Sequence, residues 1–276
     1  MHALEEGIIL SENPRQKPIE RFEATLRDKA YSAHRHDTYA IGLTLNGVQV
    51  FDYRGTTRHS LPGEMVVLHP DELHDGRPGT DDGFRYRTLY VRPTDLQDVL
   101  GGRPLPFIQG GVSTDERLRR VLLPMLDELE TSFETLESED ALYDLATVLN
   151  LLSDGPQSNR TINYGAASTA QDYLNENIDS MISLDQLATI AGYDRWQLSR
   201  DFRILFGTSP HRYQTLRRLE AARKLIRNGT PISNAAYASG FADQSHFGRH
   251  FRKTYGLSPK AWLLSIGAAH EKTPLC

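Results

Sequence analysis

Apolar and polar positions alternate along the first third of the chain. Tyr39–Leu45, Gln49–Tyr53, Met65–Leu68 and Tyr86–Val91 are short runs of this kind, broken by Asn46-Gly47, Pro62-Gly63 and Asp82-Gly83. A period of two puts one side-chain face inward, and such dipeptides mark tight turns. Residues 20–110 are therefore expected to be strands of a β-barrel or sandwich. The period then changes. Leu118, Val121, Leu122, Met125, Leu126 and Leu129 recur at spacings of three and four, and so do Leu142, Leu145, Ala146, Leu149 and Leu152. This predicts two amphipathic helices within 114–152, with Pro124 expected to kink or split the first. Their apolar stripes exceed what one helix pair hides, which predicts dimerisation; the plainer alternative is packing onto the barrel. The segment Ser153–Gly165, SDGPQSNRTINYG, is polar and turn-rich and reads as a linker. From Ser168 the helical period returns in short pieces with tight breaks.

That last block repeats itself. SLDQLATIAGYDRWQLSRDFRILFGTSPHRYQTL starts at Ser183 and ISNAAYASGFADQSHFGRHFRKTYGLSPKAWLLS at Ile232. Leu184, Ala188, Gly192 and Tyr193 match Ile232, Ala236, Gly240 and Phe241 at an offset of 48, while Phe202, Phe206, Gly207 and Pro210 match Phe251, Tyr255, Gly256 and Pro259 at 49. Each copy has the punctuation of a helix-turn-helix. Ser183 with Gln186 predicts a capping box on the first helix, and Asp194 with Gln197 a second on the next. Ala188 is small enough for two helices to cross closely. Gly192 suits a turn of positive φ. Gly207 ends the second helix, and Ser209-Pro210 and Ser258-Pro259 place an N-cap before a first-turn proline. Phe202, Phe206, Phe247, Phe251 and Trp262 are expected in the core.

The second helix of each copy is the expected recognition helix, its N-terminal residues against base edges in the major groove. Arg195, Trp196, Ser199 and Arg200 are the candidate contacts in the first copy, and Gln244, Ser245, His246 and Arg249 in the second. Arg reaches guanine O6 and N7 in bidentate fashion, and Gln does so with adenine. Arg203, Arg252 and Lys253 lie further along and suit phosphates. Between the units, a helix over His211–Asn228 is expected to turn Leu216, Leu219, Ala222 and Leu225 or Ile226 to the two cores, leaving Arg217, Arg218, Arg223 and Lys224 outside.

Charge supports this division. The chain of 276 residues carries a net charge of −5, yet residues 166–270 hold 13 Lys and Arg against 8 Asp and Glu, and residues 1–165 hold 17 against 27. A basic block on an acidic chain is the footprint of a phosphate-facing module. No run approaches the ~18 apolar residues of a membrane span. The N-terminus lacks the basic start and long apolar segment of a signal peptide, and the one cysteine is Cys276. A cytoplasmic protein without disulfides is expected.

The block from Ser168 to Ser265 resembles the DNA-binding domain of the AraC/XylS family of bacterial regulators. GYDRWQLSRDFRILFGTSPHRYQTLRRLEAARKLI and ISNAAYASGFADQSHFGRHFRKTYGLSPKAW carry the resemblance. It implies seven helices, two helix-turn-helix units and one long connecting helix. Two residues depart from the usual pattern. Gly248 lies inside a recognition helix, loosening it by about 1 kcal/mol relative to Ala or admitting close approach of the DNA backbone, and His250 adds a titratable group near the groove.

SAHRHDTYAIGLTLNGVQVF and LPGEMVVLHPDELHDG resemble the cupin-like effector domain that many AraC relatives carry, which implies a small β-barrel that binds a small molecule. His34, His36, His69 and His74 are the candidate effector-binding residues. A His-x-His pair on a strand turns both imidazoles to one face, and a further His would make a Zn²⁺ or Fe²⁺ site. Cupin enzymes also place a Glu shortly after the pair, where this chain has Ala40, Ile41 and Gly42. The favoured reading is pocket-lining or hydrogen-bonded histidines, with no metal and no cofactor.

The expected protein is multi-domain: a cupin-like all-β barrel at 1–110, a helical dimerisation segment at 111–153, a linker at 154–167 and an all-α domain with two helix-turn-helix motifs at 168–266. It is a sequence-specific DNA-binding transcription regulator and effector-responsive activator rather than an enzyme. The expected partners are double-stranded DNA, a small-molecule effector, RNA polymerase and a second copy of the chain. The rival readings are a metal-dependent cupin enzyme with a DNA-binding tail, and an architectural binder without sequence preference.

Overall fold

The alternating segments pair into two antiparallel sheets. A computed structural model describes residues 6–7, 19–27, 31–127, 129, 133–153 and 161–270, and the chain forms two compact units, 1–157 and 158–276. In the first unit the strands are β1 (Glu6–Gly7), β2 (Glu20–Leu26), β3 (Tyr31–His34), β4 (Tyr39–Gly47), β5 (Gln49–Tyr53), β6 (Thr56–Ser60), β7 (Met65–Leu68), β8 (His74–Pro78), β9 (Phe84–Val91) and β10 (Val112–Ser113). One sheet runs β1-β2-β9-β4-β7-β10 and the other β3-β8-β5-β6. The turn glycines Gly47, Gly63 and Gly83 all take positive φ.

The barrel expected from the sequence is instead an open sandwich: among the described residues no ladder joins the two sheets. Closure needs a hydrogen-bonded neighbour for every edge strand. The edge strand β10 has two residues, and β3 shifts register between Tyr31 and His34. The interior between the sheets is filled by Ala40, Phe51, Tyr53, Val66 and Leu68, with Tyr90 and Val112 against them.

The other face of the larger sheet is covered by helices. Tyr39, Ile41 and Leu43 of β4, Met65 and Val67 of β7, and Leu89 and Val91 of β9 alternate onto this face. Against them pack α1 (Pro93–Leu100), α2 (Glu116–Leu126) and α3 (Thr135–Leu151). The first of these falls inside the stretch read as strands. Pro93 at its start, Asp95 in its first turn and Gly101 in the left-handed conformation at its end are the signals that mark it. The α2 helix is not split by Pro124, which lies in its last turn, where little helix remains to be broken. The sheet caps its C-terminus: buried Arg21 donates to the Met125 carbonyl, and Arg87 to those of Leu126 and Asp127, cations against the negative end of a helix.

The apolar stripes of α2 and α3 are thus largely spent on the sheet, as the plainer alternative has it. Leu118, Leu122, Met125, Leu126, Leu145, Ala146 and Leu149 are buried there. Leu123, Leu136, Tyr143 and Leu151 stay exposed.

The second unit contains α4 (Tyr164–Glu176), α5 (Leu184–Ala191), α6 (Arg195–Phe206), α7 (Pro210–Arg227), α8 (Ile232–Ala238), α9 (Gln244–Tyr255) and α10 (Pro259–His270). Residues 154–160 of the expected linker lie outside the described residues, and α4 already begins at Tyr164. Two cores form, one around Leu198, Phe202, Leu205 and Phe206, the other around Phe241, Phe247 and Phe251, with Trp262 partly buried against it. No described helix is long and apolar enough to cross a membrane.

Candidate functional site

The two helix-turn-helix units are α5–α6 and α8–α9. Ser183 and Gln186 form the reciprocal capping box. Asp194 makes only half of the second one: it accepts from the Trp196 and Gln197 amides, and no return bond from Gln197 accompanies it. Asp243 caps α9 through the His246 amide. Gly192, Gly207, Gly240 and Gly256 all take positive φ. At Gly240 a Cβ would meet the Asp179 backbone at 2.7 Å, so this turn excludes a side chain on steric grounds as well.

The eight candidate DNA contacts divide. Arg195 is exposed, ion-paired to Asp185 of α5 at 2.8 Å, and lies over the Trp196 indole at 4.9 Å. That indole is 67% exposed, an unusual position for so large an apolar surface. Arg200 is half-exposed against Asp201 at 3.3 Å. Gln244, Ser245 and Arg249 are exposed on α9. The other two turn inward. Ser199 is 8% exposed, and its hydroxyl accepts from Arg203. His246 stands edge-on to Phe241, and its Nε2 lies 3.0 Å from that of His250. One ring of this pair must donate and the other accept. Burial, then the charge of His246, pushes the His250 pKa down.

The connecting helix also differs from expectation. Leu216, Leu219, Ala222 and Ile226 all enter the second core, and Tyr213 alone among the buried apolar residues of α7 enters the first. Its arginines are engaged rather than bare: Arg217 pairs with Glu220, Arg218 donates to the Ile178 and Ser180 carbonyls, and Arg223 lies over Tyr255. Asp201, which no sequence signal singled out, is a buried hub that accepts from the Asn163 amide and the Tyr193 hydroxyl.

In the sandwich, three of the four histidines converge. His34 of β3 pairs in register with His74 of β8, and their rings lie 4.4 Å apart. His36, two residues on, brings its ring to 4.7 Å from His74 and 5.5 Å from Tyr90. Each Nδ1 faces a backbone carbonyl, of Ser32, Thr38 and Glu72 in turn. A carbonyl only accepts, so each Nδ1 carries the proton and each Nε2 the lone pair. Burial, then the neighbouring imidazoles, pushes the His36 pKa down to about 4 and that of His74 to about 2.

His69 lies apart from them, with both nitrogens engaged. Its Nε2 accepts from the Ile108 amide at 2.9 Å, its Nδ1 meets the Tyr53 hydroxyl, and its ring stacks on Phe107 at 4.5 Å. Arg85 and Arg87 both bind Glu23 on the neighbouring strand, and Arg35 donates to the Asp71 carbonyl. These arginines serve the protein's own oxygens.

Residues 16–146 match the AraC-like ligand binding domain family, and residues 187–265 match a helix-turn-helix domain family. The probable transcriptional regulator LumQ of Photobacterium leiognathi is 34% identical over 252 residues, covering 89% of this chain and 97% of LumQ. The chain belongs to the AraC family of transcription regulators. Another AraC-type relative, the transcriptional activator RhaS of Escherichia coli O81, is 25% identical over 249 residues, covering 86% of this chain and 89% of RhaS. Unsaturated fatty acid-bound ToxT of Vibrio cholerae shares the fold with a TM-score of 0.65 at 14% identity, over 92% of this chain and 97% of ToxT. The protein is therefore a DNA-binding regulator with an effector-binding domain of AraC type.

Proposed function

We propose that this AraC-family protein is an effector-responsive transcription activator that reads DNA through α6 and α9. The supporting observation is the pair of equivalent helices, each opened by an Asp N-cap and closed by a left-handed Gly, with exposed contacts in the first turns. Arg195, Trp196 and Arg200 read bases from α6, and Gln244, Ser245 and Arg249 from α9. Ser199 and His246 hold these helices in shape. Arg203, Arg252 and Lys253 meet phosphates. The effector enters the sandwich beside His34, His36 and His74 and shifts the balance between states that present the DNA-binding unit differently, by its unequal affinity for them. The exposed Leu136, Tyr143 and Leu151 of α3 are the surface on which two copies meet, and the DNA-bound dimer contacts RNA polymerase. The domains are the sandwich with its helices and a reader that begins with α4 at Tyr164, four residues before the expected start at 168, so the linker is the stretch that precedes it.

Selection of bound sequences from random DNA by wild type and by Arg249→Ala tests the reading. The variant is expected to lose preference at one or two adjacent base pairs, at a cost of about 1–3 kcal/mol there, with the rest of the site unchanged. Uniform weakening across all sequences would make Arg249 a phosphate contact. Binding by wild type without any preference would favour the architectural reading.

A further inference from the structure

Three imidazoles, of His34 on β3, His36 in the segment after it and His74 on β8, face one another, and their chemistry goes beyond lining a pocket. All three are the same tautomer: the Nδ1 protons of His34, His36 and His74 are held by the carbonyls of Ser32, Thr38 and Glu72 at 2.9, 2.8 and 3.0 Å. Metal-bound histidines are anchored in this way, the second nitrogen donating to a carbonyl or carboxylate so that ring and lone pair are fixed in direction. One ligand nitrogen from each residue lies within 4.8 Å of the others. Zn–N bonds of ~2.0–2.1 Å in tetrahedral geometry set ligand nitrogens about 3.4 Å apart. Binding therefore requires the half-buried His34 and His36 to move inward by the difference. Hydrogen bonding between the three Nε2 atoms is excluded, because with every Nδ1 proton held by a carbonyl all three are acceptors.

We propose that His34, His36 and His74 form a binding site for a divalent first-row transition ion of the Zn²⁺ class. Imidazole suits Zn²⁺, Cu²⁺, Fe²⁺ and Ni²⁺. Three neutral ligands leave the ion's charge uncompensated and at least one position open, which water or an anionic oxygen fills. The carboxylate of cupin enzymes has no counterpart at Ala40, Ile41 and Gly42, so the donor set is three nitrogens rather than a mixed one. The site stands independently of the effector reading, since it requires neither DNA nor a second ligand.

The test is titration of the full-length, chelator-stripped protein with Co²⁺, followed by its visible d–d bands, then displacement with Zn²⁺. The expected result is one equivalent bound with the intense bands of a low-symmetry four- or five-coordinate site, and loss of those bands on adding one equivalent of Zn²⁺. His34→Gln and His74→Gln should each weaken binding by at least about tenfold to a hundredfold, while His59→Ala, on the exposed β6 strand, leaves it unchanged. Absence of stoichiometric bands in wild type, or their persistence in the His34→Gln/His74→Gln double variant, overturns the assignment. Should a variant fail to fold, long-range ¹⁵N NMR of wild type decides the matter: Zn²⁺ must shift the Nε2 signals of these three rings while their Nδ1 stay protonated, and a shift confined to other histidines refutes the site.

Discussion

His69 shows how a single buried side chain sets a pH limit. It joins Tyr53 on β5 to the Ile108 amide in the loop after α1, and the Nε2 that accepts from that amide can do so only while unprotonated. Burial, then the charge of Arg54, pushes its pKa from the ordinary 6.5 down to about 3. Unfolded, the ring takes a proton near 6.5; folded, it waits until about 3. Between these values the unfolded chain binds more protons, so the stabilisation is complete above pH 6.5 and is lost progressively as pH falls toward 3. Urea unfolding of wild type is expected to lose about 2 kcal/mol through this one group between pH 7 and pH 5. The same experiment on His69→Gln should show a smaller drop, and equal slopes in the two proteins would remove His69 from the account. The sequence marked four histidines without separating this one from the other three. Alternation along a strand gives the face of a side chain but not its partner. The partner here comes from a loop 39 residues away.

At the level of the element, the recognition helices are the most legible part of the chain. Their caps, lengths and terminal glycines all follow from local chemistry. Which of their residues point outward follows less closely, because the helix face is fixed by the core it packs on. Ser199 and Gly248 occupy equivalent places, and the serine is turned inward while the glycine has open space around a notional Cβ. Gly248→Ala should therefore strengthen α9 by about 1 kcal/mol, read as a rise in the midpoint of chemical unfolding. If the variant gains stability and keeps its DNA affinity, the glycine is incidental. If it gains stability and loses affinity, the missing Cβ is what admits the DNA backbone. A drop in stability would contradict the open space seen at this position.

For the whole molecule, sensing and reading lie in separate compact units, 1–157 and 158–276, with an acidic and a basic charge balance respectively. The fragment 158–276 contains both cores of the reader complete within itself. It is expected to select the same base sequence as the full chain in a binding assay, with no response to any effector. An effector response retained by the fragment would place the sensor in the wrong unit.

The sequence by itself determined the class of each unit, the two helix-turn-helix motifs and the family, because periodicity, caps and turn glycines are local and repeat within a few residues. It also placed β5 and β7 at their observed bounds, each an apolar run closed off by polar or turn-forming residues. Only the tertiary structure decided that the sheets form an open sandwich, that α2 and α3 spend their stripes on a sheet face, and that Arg85 and Arg87 bind Glu23. It alone turned Ser199 and His246 inward and brought His34, His36 and His74 together without His69. Each of these depends on which distant surface an element meets, and that is settled by packing between residues far apart in the chain.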